Sequence, residues 1–213
     1  KDKKLVIVGG GYIGLEVAAI ATQAGMNVRV LETEDRVLQR VTTPTMSNYY
    51  TRLHEKRGVR IHTKTRVIGF EGKSAVERVI CENDVFDADL VIVGIGIIPN
   101  SELAEKAGIA CENGITVDER CQTSISRIYA AGDCTNHPNP LLNRRLRLES
   151  VPNAMEQARV CAANMVGKDK IYSTIPWFWS DQYELKLQMV GFSSDGDSEV
   201  VRGDMDANQF SVF

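Results

Sequence analysis

The sequence lacks several features that would assign it to whole classes of protein. Its 213 residues contain no apolar run near the roughly 18–20 residues of a membrane helix. Its charges nearly balance, with 25 Lys+Arg against 28 Asp+Glu and a net charge of −3. Without a long apolar run or a broad basic face, neither a membrane nor a nucleic acid is expected as a partner. Hydrophobic residues at 43% and charged residues at 25% are ordinary for a globular chain, which excludes general disorder.

The cysteines and histidines are few and scattered. No two of the five cysteines form a C-x-x-C pair, and no secretion signal precedes them. We therefore expect reduced thiols and a cytoplasmic protein. The three histidines lie too far along the chain from the cysteines to make useful ligand pairs, so no metal site is expected.

Both ends of the chain read as cuts through a longer protein. The first residue is Lys1, and a core strand already follows at residues 4–8, while the chain stops on the apolar run Phe210-Ser211-Val212-Phe213. The length suits one large or two small domains, at roughly 100–200 residues each. We therefore treat the chain as a fragment.

The first thirty residues predict a β-α-β unit. Residues 4–8 form a strand whose apolar, mostly β-branched run follows Lys4. Residues 12–24 carry apolar side chains at helical spacing up to Gly25, and residues 27–31 form a second strand. Such a unit makes a right-handed parallel crossover. The pattern then predicts a helix at 44–57, a strand at 59–62, antiparallel strands within 64–86 and another buried strand at 89–93.

Beyond Pro99 the pattern changes. Residues 101–120 are short polar segments, residues 127–131 predict one more buried strand, and the Pro-, Asn- and Arg-rich stretch 135–146 indicates a surface loop. The pattern closes with a helix at 152–166, capped by Gly167, and strands near 185–190 and 199–202.

A glycine-rich turn joins the first strand to the first helix. Gly9-Gly10-Gly11-Tyr12-Ile13-Gly14 matches G-x-G-x-x-G inside a β-α-β unit, the context that makes this motif informative. Gly9 permits the tight turn, Gly11 lets the backbone approach a pyrophosphate, and Gly14 lets the helix pack closely. Tyr12 and Ile13 begin the helix, whose unpaired N–H groups favour an anion. We predict dinucleotide binding here rather than a ligand-free connection.

Glu32 ends the second strand, where an acidic side chain accepts hydrogen bonds from an adenosine ribose. A 2′-phosphate about 4 Å away would be repelled by about 1 kcal/mol in water and about 4 kcal/mol at an intermediate dielectric. The residue therefore favours NAD(H) over NADP(H). Arg29 and Arg36 lie close enough in sequence to soften this preference, or are ordinary surface charges; we include Arg36 among the cofactor-binding candidates.

Glu16 lies two residues beyond Gly14. Its spacing alone favours an acid that suits the helix dipole over a contact with the cofactor.

A second signature lies in the segment from Thr123 to Cys134, where Ile128-Tyr129-Ala130-Ala131-Gly132-Asp133 reads as a strand that delivers Asp133 to its carboxyl end. Alone, an Asp beside a glycine is a common turn. Together with the Gly94-Ile95-Gly96 turn, the segment resembles the paired signatures of two-dinucleotide flavoproteins.

The downstream sequence resembles a narrower family. The stretches Arg147-Leu148-Glu149-Ser150-Val151-Pro152-Asn153-Ala154, Glu156-Gln157-Ala158-Arg159 and Pro176-Trp177-Phe178-Trp179-Ser180-Asp181-Gln182-Tyr183 are similar to the FAD-dependent NADH:ferredoxin/rubredoxin reductases that serve oxygenases, the putidaredoxin reductase-like branch. The resemblance extends over nearly the whole chain.

This resemblance implies a set of site residues. Gly132, Asp133 and Val151 would contact FAD, Glu16 would lie near the nicotinamide, and Trp179 would lie near the flavin on the side facing an iron–sulfur partner. Packing in a core or interface is the alternative for Trp177 and Trp179. An arginine docking face for an acidic ferredoxin, as against solvated surface charge, is left open for Arg144, Arg145, Arg147 and Arg159.

The resemblance also implies an α/β fold in three parts. These are a Rossmann-type three-layer NAD-binding domain at 1–99, lacking its first strand if the cut falls there, the second part of an FAD-binding domain at 100–168, and the start of an α+β C-terminal domain at 169–213. The family's first FAD-binding β-α-β unit is absent, so the fragment itself is expected to hold FAD poorly and to be inactive.

The implied function is a flavoprotein oxidoreductase that passes electrons from NADH through FAD to a [2Fe–2S] ferredoxin or a rubredoxin. A pyridine nucleotide-disulphide reductase or NADH oxidase of the same superfamily is one alternative. A non-enzymatic, apoptosis-inducing-factor-like NAD-binding protein is another. The sequence leaves the particular ferredoxin, the oxygenase and the oligomeric state open.

Overall fold

The computed structural model describes residues 2–193 and 198–213, and the chain forms two compact units. Unit 1 comprises Lys1–Gly96, Ser180–Leu187 and Phe192–Phe213, and unit 2 comprises Ile97–Trp179 and Gln188–Gly191. Each unit is described by itself.

A four-stranded parallel sheet organises unit 1. In chain order its first ninety-odd residues form β1 (Lys4–Val8), α1 (Tyr12–Gln23), β2 (Asn27–Leu31), α2 (Pro44–Lys56), β3 (Arg60–His62), β4 (Val67–Glu71), β5 (Arg78–Cys81), β6 (Val85–Asp87) and β7 (Leu90–Val93). The parallel strands run in the order β3-β2-β1-β7, and β4-β5-β6 make a separate antiparallel sheet. These bounds confirm the predicted β-α-β unit, the second helix and the antiparallel segment.

The two faces of β1 are covered by different layers, which follows from the alternation of side chains along a strand. Ile7 lies beneath α1, where its Cγ2 is close to Gly14. Val6 packs on the other face in a buried cluster with Val79 and Ala88. The antiparallel sheet β4-β5-β6 thus covers the face opposite α1, giving three layers.

β7 differs from the buried strand predicted at 89–93. Leu90 is 45% exposed and Val93 is 53% exposed. The physical reason is position, because β7 pairs only with β1 and forms the edge of the sheet among the described residues.

Helix α2 has a clear start signal. Thr43 caps it by accepting a hydrogen bond from the Met46 N–H at 3.4 Å, and Pro44 occupies the first turn. The helix buries His54 completely. A histidine is therefore fixed inside unit 1.

Unit 2 contains short strands and one long helix. Its elements are α3 (Glu102–Lys106), β8 (Ile115–Thr116), β9 (Thr135–Asn139), β10 (Arg144–Leu146) and α4 (Val151–Met165). Strands β10, β9 and β8 form one sheet, with β9 in the middle. Helix α4 packs through Val160 and Cys161 on Cys121 and Tyr172.

Two predictions for this unit are wrong. Residues 127–131 form no strand: Arg127 has φ +66°, and the segment that follows makes a single bridge, Gln122 to Tyr129. Residues 135–146 are not a surface loop but the β9–β10 hairpin. Its polar residues Thr135, His137 and Asn139 are buried, so the polar composition of this stretch wrongly indicated exposure to solvent.

Two hairpins follow α4 among the described residues. Strands β11 (Trp177–Gln182) and β12 (Leu185–Val190) make the first, and β13 (Val201–Asp204) and β14 (Gln209–Val212) make the second. The boundary between the units runs through the first hairpin, whose tip, Ser180–Leu187, belongs to unit 1. Throughout the described parts of the chain, every helix is too short or too polar to cross a bilayer.

Candidate functional site

The glycine-rich turn lies where the strand order of the sheet reverses. From β1 the chain proceeds to β2 and β3 on one side, whereas β7 pairs with the other side of β1. In open α/β sheets, ligands bind at such a point, beyond the carboxyl ends of the strands. The sequence motif and the topology therefore indicate the same place.

Two glycines of the turn are required by close backbone contacts. Gly9 has φ +107°, and a Cβ there would lie 2.3 Å from the Gly94 carbonyl oxygen at the end of β7. A Cβ on Gly14 would lie 2.1 Å from the Gly9 carbonyl oxygen. Any larger side chain would push the helix off the strand, as the motif predicts for its first and last glycines.

Gly11 is different, because a Cβ there would meet nothing within 4 Å. It is the N-cap of α1 and makes no side-chain hydrogen bond to the first turn of the helix. The space beside Gly11 therefore adjoins the start of α1, where the positive end of the helix dipole lies. This arrangement fits the pyrophosphate of a dinucleotide.

Tyr12 and Ile13 follow the turn in different environments. Ile13 is 67% exposed, while Tyr12 is half-buried. Burial, and after it the neighbouring Tyr50, raises the pKa of the Tyr12 phenol, so the ring carries no charge at neutral pH.

Glu32 is held beside the glycine turn by two backbone donors. Its Oε2 accepts from the Gly10 N–H at 2.7 Å and its Oε1 from the Glu34 N–H at 2.9 Å. The carboxylate of Glu32 is thus fixed on the β2 side of the turn, which fits a hydrogen bond to an adenosine ribose hydroxyl.

Arg36 is tied to the loop before α2. Its guanidinium donates to the carbonyl oxygens of Gln39 and Thr42 and to the Ser47 hydroxyl, at 3.2, 2.8 and 2.6 Å. The structure therefore gives Arg36 a definite structural role, and only its remaining donors are left for a ligand.

Glu16 belongs to a hydrogen-bond chain that the sequence did not reveal. Its Oε1 accepts from the Ser180 hydroxyl at 2.5 Å, and Ser180 in turn accepts from Gln182 Nε2 at 3.1 Å. Both partners are fully buried. The Trp-Ser-Asp-Gln stretch was noted for its resemblance alone, and no local signal connects it with Glu16.

The hydrogen-bond chain continues from Gln182 to His54 in α2. Gln182 Oε1 is 2.8 Å from His54 Nε2, and His54 Nδ1 is 3.1 Å from the Tyr183 hydroxyl. Burial lowers the pKa of His54, against a smaller opposing effect of the Gln182 hydrogen bond. The imidazole is therefore neutral at physiological pH.

In unit 2, Asp133 lies on an exposed turn that helix α4 supports. Gly132, with φ +88°, packs against Ala154 of that helix, and its N–H donates to Gln157 Oε1 at 2.7 Å. Gln157 is fully buried and lies 2.8 Å from the Thr135 hydroxyl as well. Gln157 therefore positions the Asp133 turn, a role that the sequence analysis missed.

The start of α4 adjoins this turn. Ser150 caps the helix by accepting from Asn153 N–H at 3.4 Å, and Val151, in the first turn, is 57% exposed. The buried Nε2 of Gln157 has no hydrogen-bond partner among the described residues. A carboxylate, a helix N-terminus and an unsatisfied amide together fit part of a flavin site.

The two tryptophans of β11 lie side by side. The ring centroids of Trp177 and Trp179 are 5.5 Å apart, and the residues are 41% and 39% exposed. Neither is a core residue of unit 2.

The arginines considered as a docking face are largely committed to internal partners. Arg145 donates to the carbonyls of Val117 and Asn136, and Arg147 pairs with Glu149. Arg159 pairs with Glu156 one helical turn away. These contacts favour structural roles over a docking surface for all three.

All five cysteines are free thiols, and Cys121 and Cys161 are buried neighbours. The hydrogen bond with Cys161 and then burial raise the pKa of the Cys121 thiol, so it is not a reactive thiolate. Within the described residues, no group of three His, Cys, Asp or Glu side chains could hold a metal ion.

Comparison with known protein families matches almost the whole chain. Residues 1–158 match the family described as pyridine nucleotide-disulphide oxidoreductase, and residues 177–213 match the family described as reductase C-terminal.

Among curated proteins, putidaredoxin reductase CamA of Pseudomonas putida is 51% identical over 100% of this chain and 51% of its own length. The rubredoxin-NAD(+) reductase of Ectopseudomonas oleovorans is 38% identical over 94% of this chain and 53% of its own length. The chain thus spans about half the length of the curated relatives it matches.

Solved structures agree with this result. A ferredoxin reductase for the CYP199A2 system from Rhodopseudomonas palustris superposes with a TM-score of 0.95 at 41% identity, over 99% of this chain and 53% of that one. A covalent putidaredoxin reductase–putidaredoxin complex gives a TM-score of 0.94 at 51% identity, over 100% of this chain and 52% of that one. The predicted fold class and the family resemblance are confirmed.

Proposed function

The chain belongs to the pyridine nucleotide-disulphide oxidoreductase family, and from this premise we propose that it is part of a flavoprotein oxidoreductase passing electrons from NADH through FAD to a [2Fe–2S] ferredoxin or a rubredoxin. The observation that carries the proposal is the glycine turn at the reversal of the strand order, with an open Gly11 and with Glu32 fixed beside it.

NAD(H) is the proposed electron source. Gly9, Gly11 and Gly14, with Tyr12 and Ile13, would hold the pyrophosphate, and Glu32 would accept hydrogen bonds from the adenosine ribose. The carboxylate also disfavours a 2′-phosphate, which argues for NADH over NADPH. Glu16 is proposed to contact the nicotinamide end, and Arg36 to assist through its remaining donors.

FAD is the proposed second cofactor. The exposed Asp133, supported by Gly132, would bind a flavin hydroxyl, and Val151 would offer the N-terminus of α4. Gly94 and Gly96, in the turn that follows β7, are further proposed cofactor contacts, and Trp179 is proposed to lie beside the flavin. Bound FAD supplies the step from a two-electron donor to one-electron acceptors. The chain's own residues bind and orient the two cofactors.

The electron acceptor is inferred from the relatives. Two relatives are named as putidaredoxin and rubredoxin reductases, and the C-terminal region matches the reductase C-terminal family. This match to the reductase C-terminal family favours the ferredoxin reductase over a disulphide reductase.

The domain boundaries and location complete the proposal. We assign residues 1–99 to the NAD-binding domain, 100–168 to the FAD-binding domain and 169–213 to the C-terminal domain. The five free thiols support a reducing, cytoplasmic compartment.

The test uses the full-length protein. NADH-driven reduction of cytochrome c is measured with and without an added [2Fe–2S] ferredoxin, and then with a rubredoxin. Strict dependence on the iron–sulfur or rubredoxin partner is expected. Turnover of glutathione or lipoamide disulphides would instead indicate the disulphide reductase, and a full-length protein that stays colourless with added FAD would overturn the proposal.

A further inference from the structure

The hydrogen-bond chain that ends on Glu16 has a single direction. Gln182 donates through Nε2 to Ser180, so its Oε1 faces His54 and the proton of His54 must be on Nε2. Nδ1 of His54 then accepts from the Tyr183 hydroxyl. Every donor points toward Glu16, whose Oε1 accepts the last hydrogen bond from Ser180. We call these five residues the Glu16 relay: Tyr183, His54, Gln182, Ser180 and Glu16.

The three middle residues of the relay are buried. Ser180, Gln182 and His54 all have 0% exposure, so none exchanges its partner for bulk water. Because a buried polar group without a partner is costly, each residue constrains the rotamer of the next. Glu16 itself is only half-buried, at the open end of this chain.

Tyr183 provides independent support. It takes φ +57° at the tip of the β11–β12 hairpin, a conformation that bulky residues rarely adopt and that glycine or asparagine would fill more easily. Its hydroxyl bonds to His54, and its ring lies under the Arg57 guanidinium at 4.8 Å. The backbone conformation alone would favour another residue type at this position, so the contacts of the Tyr183 side chain are the reason that a tyrosine fits there.

The relay is separate from the contacts of Glu32. Glu32 is fixed by Gly10 and Glu34 on the β2 side of the turn, whereas Glu16 is fixed by the hairpin. Ser180 donates to Oε1 of Glu16, and a carboxylate has a second oxygen, Oε2, that can accept from an N–H donor. The carboxamide of a nicotinamide is such a donor, and ADP-ribose lacks it.

We propose that Ser180, Gln182 and His54 are positioning residues that orient the Glu16 carboxylate toward the nicotinamide carboxamide of NAD(H). The inference rests on the proposed function, since it takes Glu16 to lie at the nicotinamide end. Ser180 acts directly on Glu16, and His54 acts through Gln182 and Ser180.

The test compares NAD⁺ with ADP-ribose, both titrated calorimetrically into the full-length flavoprotein. Ser180→Ala and His54→Leu are expected to weaken NAD⁺ binding about three- to tenfold, the effect of one misdirected hydrogen bond, while ADP-ribose binding stays within about twofold. His54→Gln keeps an N–H donor for Gln182 and should restore NAD⁺ affinity. Glu184→Gln, on the same hairpin but outside the relay, is the matched control.

Each outcome decides the proposal. Unchanged NAD⁺ affinity in both Ser180→Ala and His54→Leu overturns it while the proposed function stands. An equal loss of NAD⁺ and ADP-ribose affinity overturns it as well, because that pattern means general damage. Should His54→Leu fail to fold, Ser180→Ala decides alone. Wild-type protein that binds no NAD⁺ overturns the proposed function, and it also overturns the role proposed for the relay.

Discussion

At the scale of single residues, the proposed role of Glu32 in selecting NAD(H) over NADP(H) can be tested by substitution. Replacing its carboxylate and adding a cation, as in Glu32→Ala/Thr33→Arg, should move the ratio of NADPH to NADH affinity toward NADPH. The removed repulsion of about 1–4 kcal/mol corresponds to roughly fivefold to a thousandfold. The measurement is the dissociation constant of each cofactor, read from nicotinamide fluorescence.

A matched control for this prediction is Glu34→Ala. Glu34 carries the same charge, but its side chain hydrogen-bonds to Gln39 and pairs with Arg40 rather than with the glycine turn. It should leave the ratio unchanged. An unaltered ratio in the Glu32 double variant would show that Glu32 is not on the ribose.

His137 should make the stability of unit 2 depend on pH. It is 1% exposed, and burial, with Arg145 second, lowers its pKa from 6.5 to about 4. Between these values the unfolded chain binds more protons than the folded chain. Stability is therefore full above pH 6.5 and is lost as the pH falls toward 4, by up to about 3 kcal/mol.

The measurement is urea unfolding of wild type and His137→Phe at pH 7 and pH 4.5. Neither ring nitrogen of His137 has a hydrogen-bond partner among the described residues, and the ring packs edge-on against Tyr172 at 5.0 Å. Phenylalanine keeps this packing and should cost less than about 1.5 kcal/mol at pH 7. An acid-induced loss as large in His137→Phe as in wild type would assign the effect to other groups.

At the scale of elements, two glycines of the β1–α1 turn should have different roles: Gly14 in folding and Gly11 in ligand binding. Gly14→Ala places a Cβ 2.1 Å from the Gly9 carbonyl oxygen and should destabilise unit 1 by about 1–3 kcal/mol. Gly11→Ala meets nothing within 4 Å, at a φ of −79° open to any residue. It should leave the melting temperature unchanged but weaken NAD⁺ binding about tenfold, since the pyrophosphate needs that space.

Calorimetry and thermal unfolding of the two variants distinguish these effects. A normal NAD⁺ affinity in Gly11→Ala would contradict the proposal that the turn binds the pyrophosphate. An unchanged stability in Gly14→Ala would mean that α1 can shift on β1.

The Asp133 turn gives a similar pair of variants. Asp133 is exposed, so Asp133→Ala should leave the stability of the full-length protein within about 0.5 kcal/mol of wild type while lowering its FAD retention on dialysis. Gln157→Leu removes the acceptor of the Gly132 N–H and should lower both FAD retention and stability, the latter by about 1–3 kcal/mol. Normal flavin occupancy in Asp133→Ala would contradict the role assigned to it.

The elements also show which parts of the fold local pattern can predict. The continuous apolar run of β1 and the helical spacing of α1 are local signals, and both were predicted with almost correct bounds. The apolar run at 128–131 failed because Arg127 turns the chain back onto residues 121–123, where only a short bridge forms. Strand β9 was missed because its buried side chains are polar, and their burial depends on partners distant in sequence.

At the scale of the whole molecule, the parts of the site differ in how far they extend along the sequence. The glycine turn and Glu32 lie within one β-α-β unit, so spacing alone was enough to predict them as candidates. The Glu16 relay joins residues 164 positions apart, and no periodicity carries that information. The same holds for Gln157, whose contact with Gly132 spans 25 positions.

The division into two units predicts how a dinucleotide should change the dynamics of the chain. All residues proposed to hold NAD(H) lie in unit 1, whereas α4 and the Asp133 turn lie in unit 2. A ligand that binds only the folded site stabilises it by about 2.7 kcal/mol at a hundred times its dissociation constant. Amide hydrogen exchange in β1 and α1 should therefore slow with NAD⁺, by up to about a hundredfold where exchange requires opening of the site.

Exchange in α4 should change little under the same conditions. ADP-ribose should reproduce most of the protection of β1 and α1, because it keeps the pyrophosphate and the adenosine ribose that Glu32 is proposed to bind. Ser180→Ala provides the internal check, since it should reduce protection by NAD⁺ but not by ADP-ribose. Equal protection of α1 and α4 by NAD⁺ would mean that the chain opens as one cooperative body, and the local assignment of the dinucleotide site would then have to be made from variants alone.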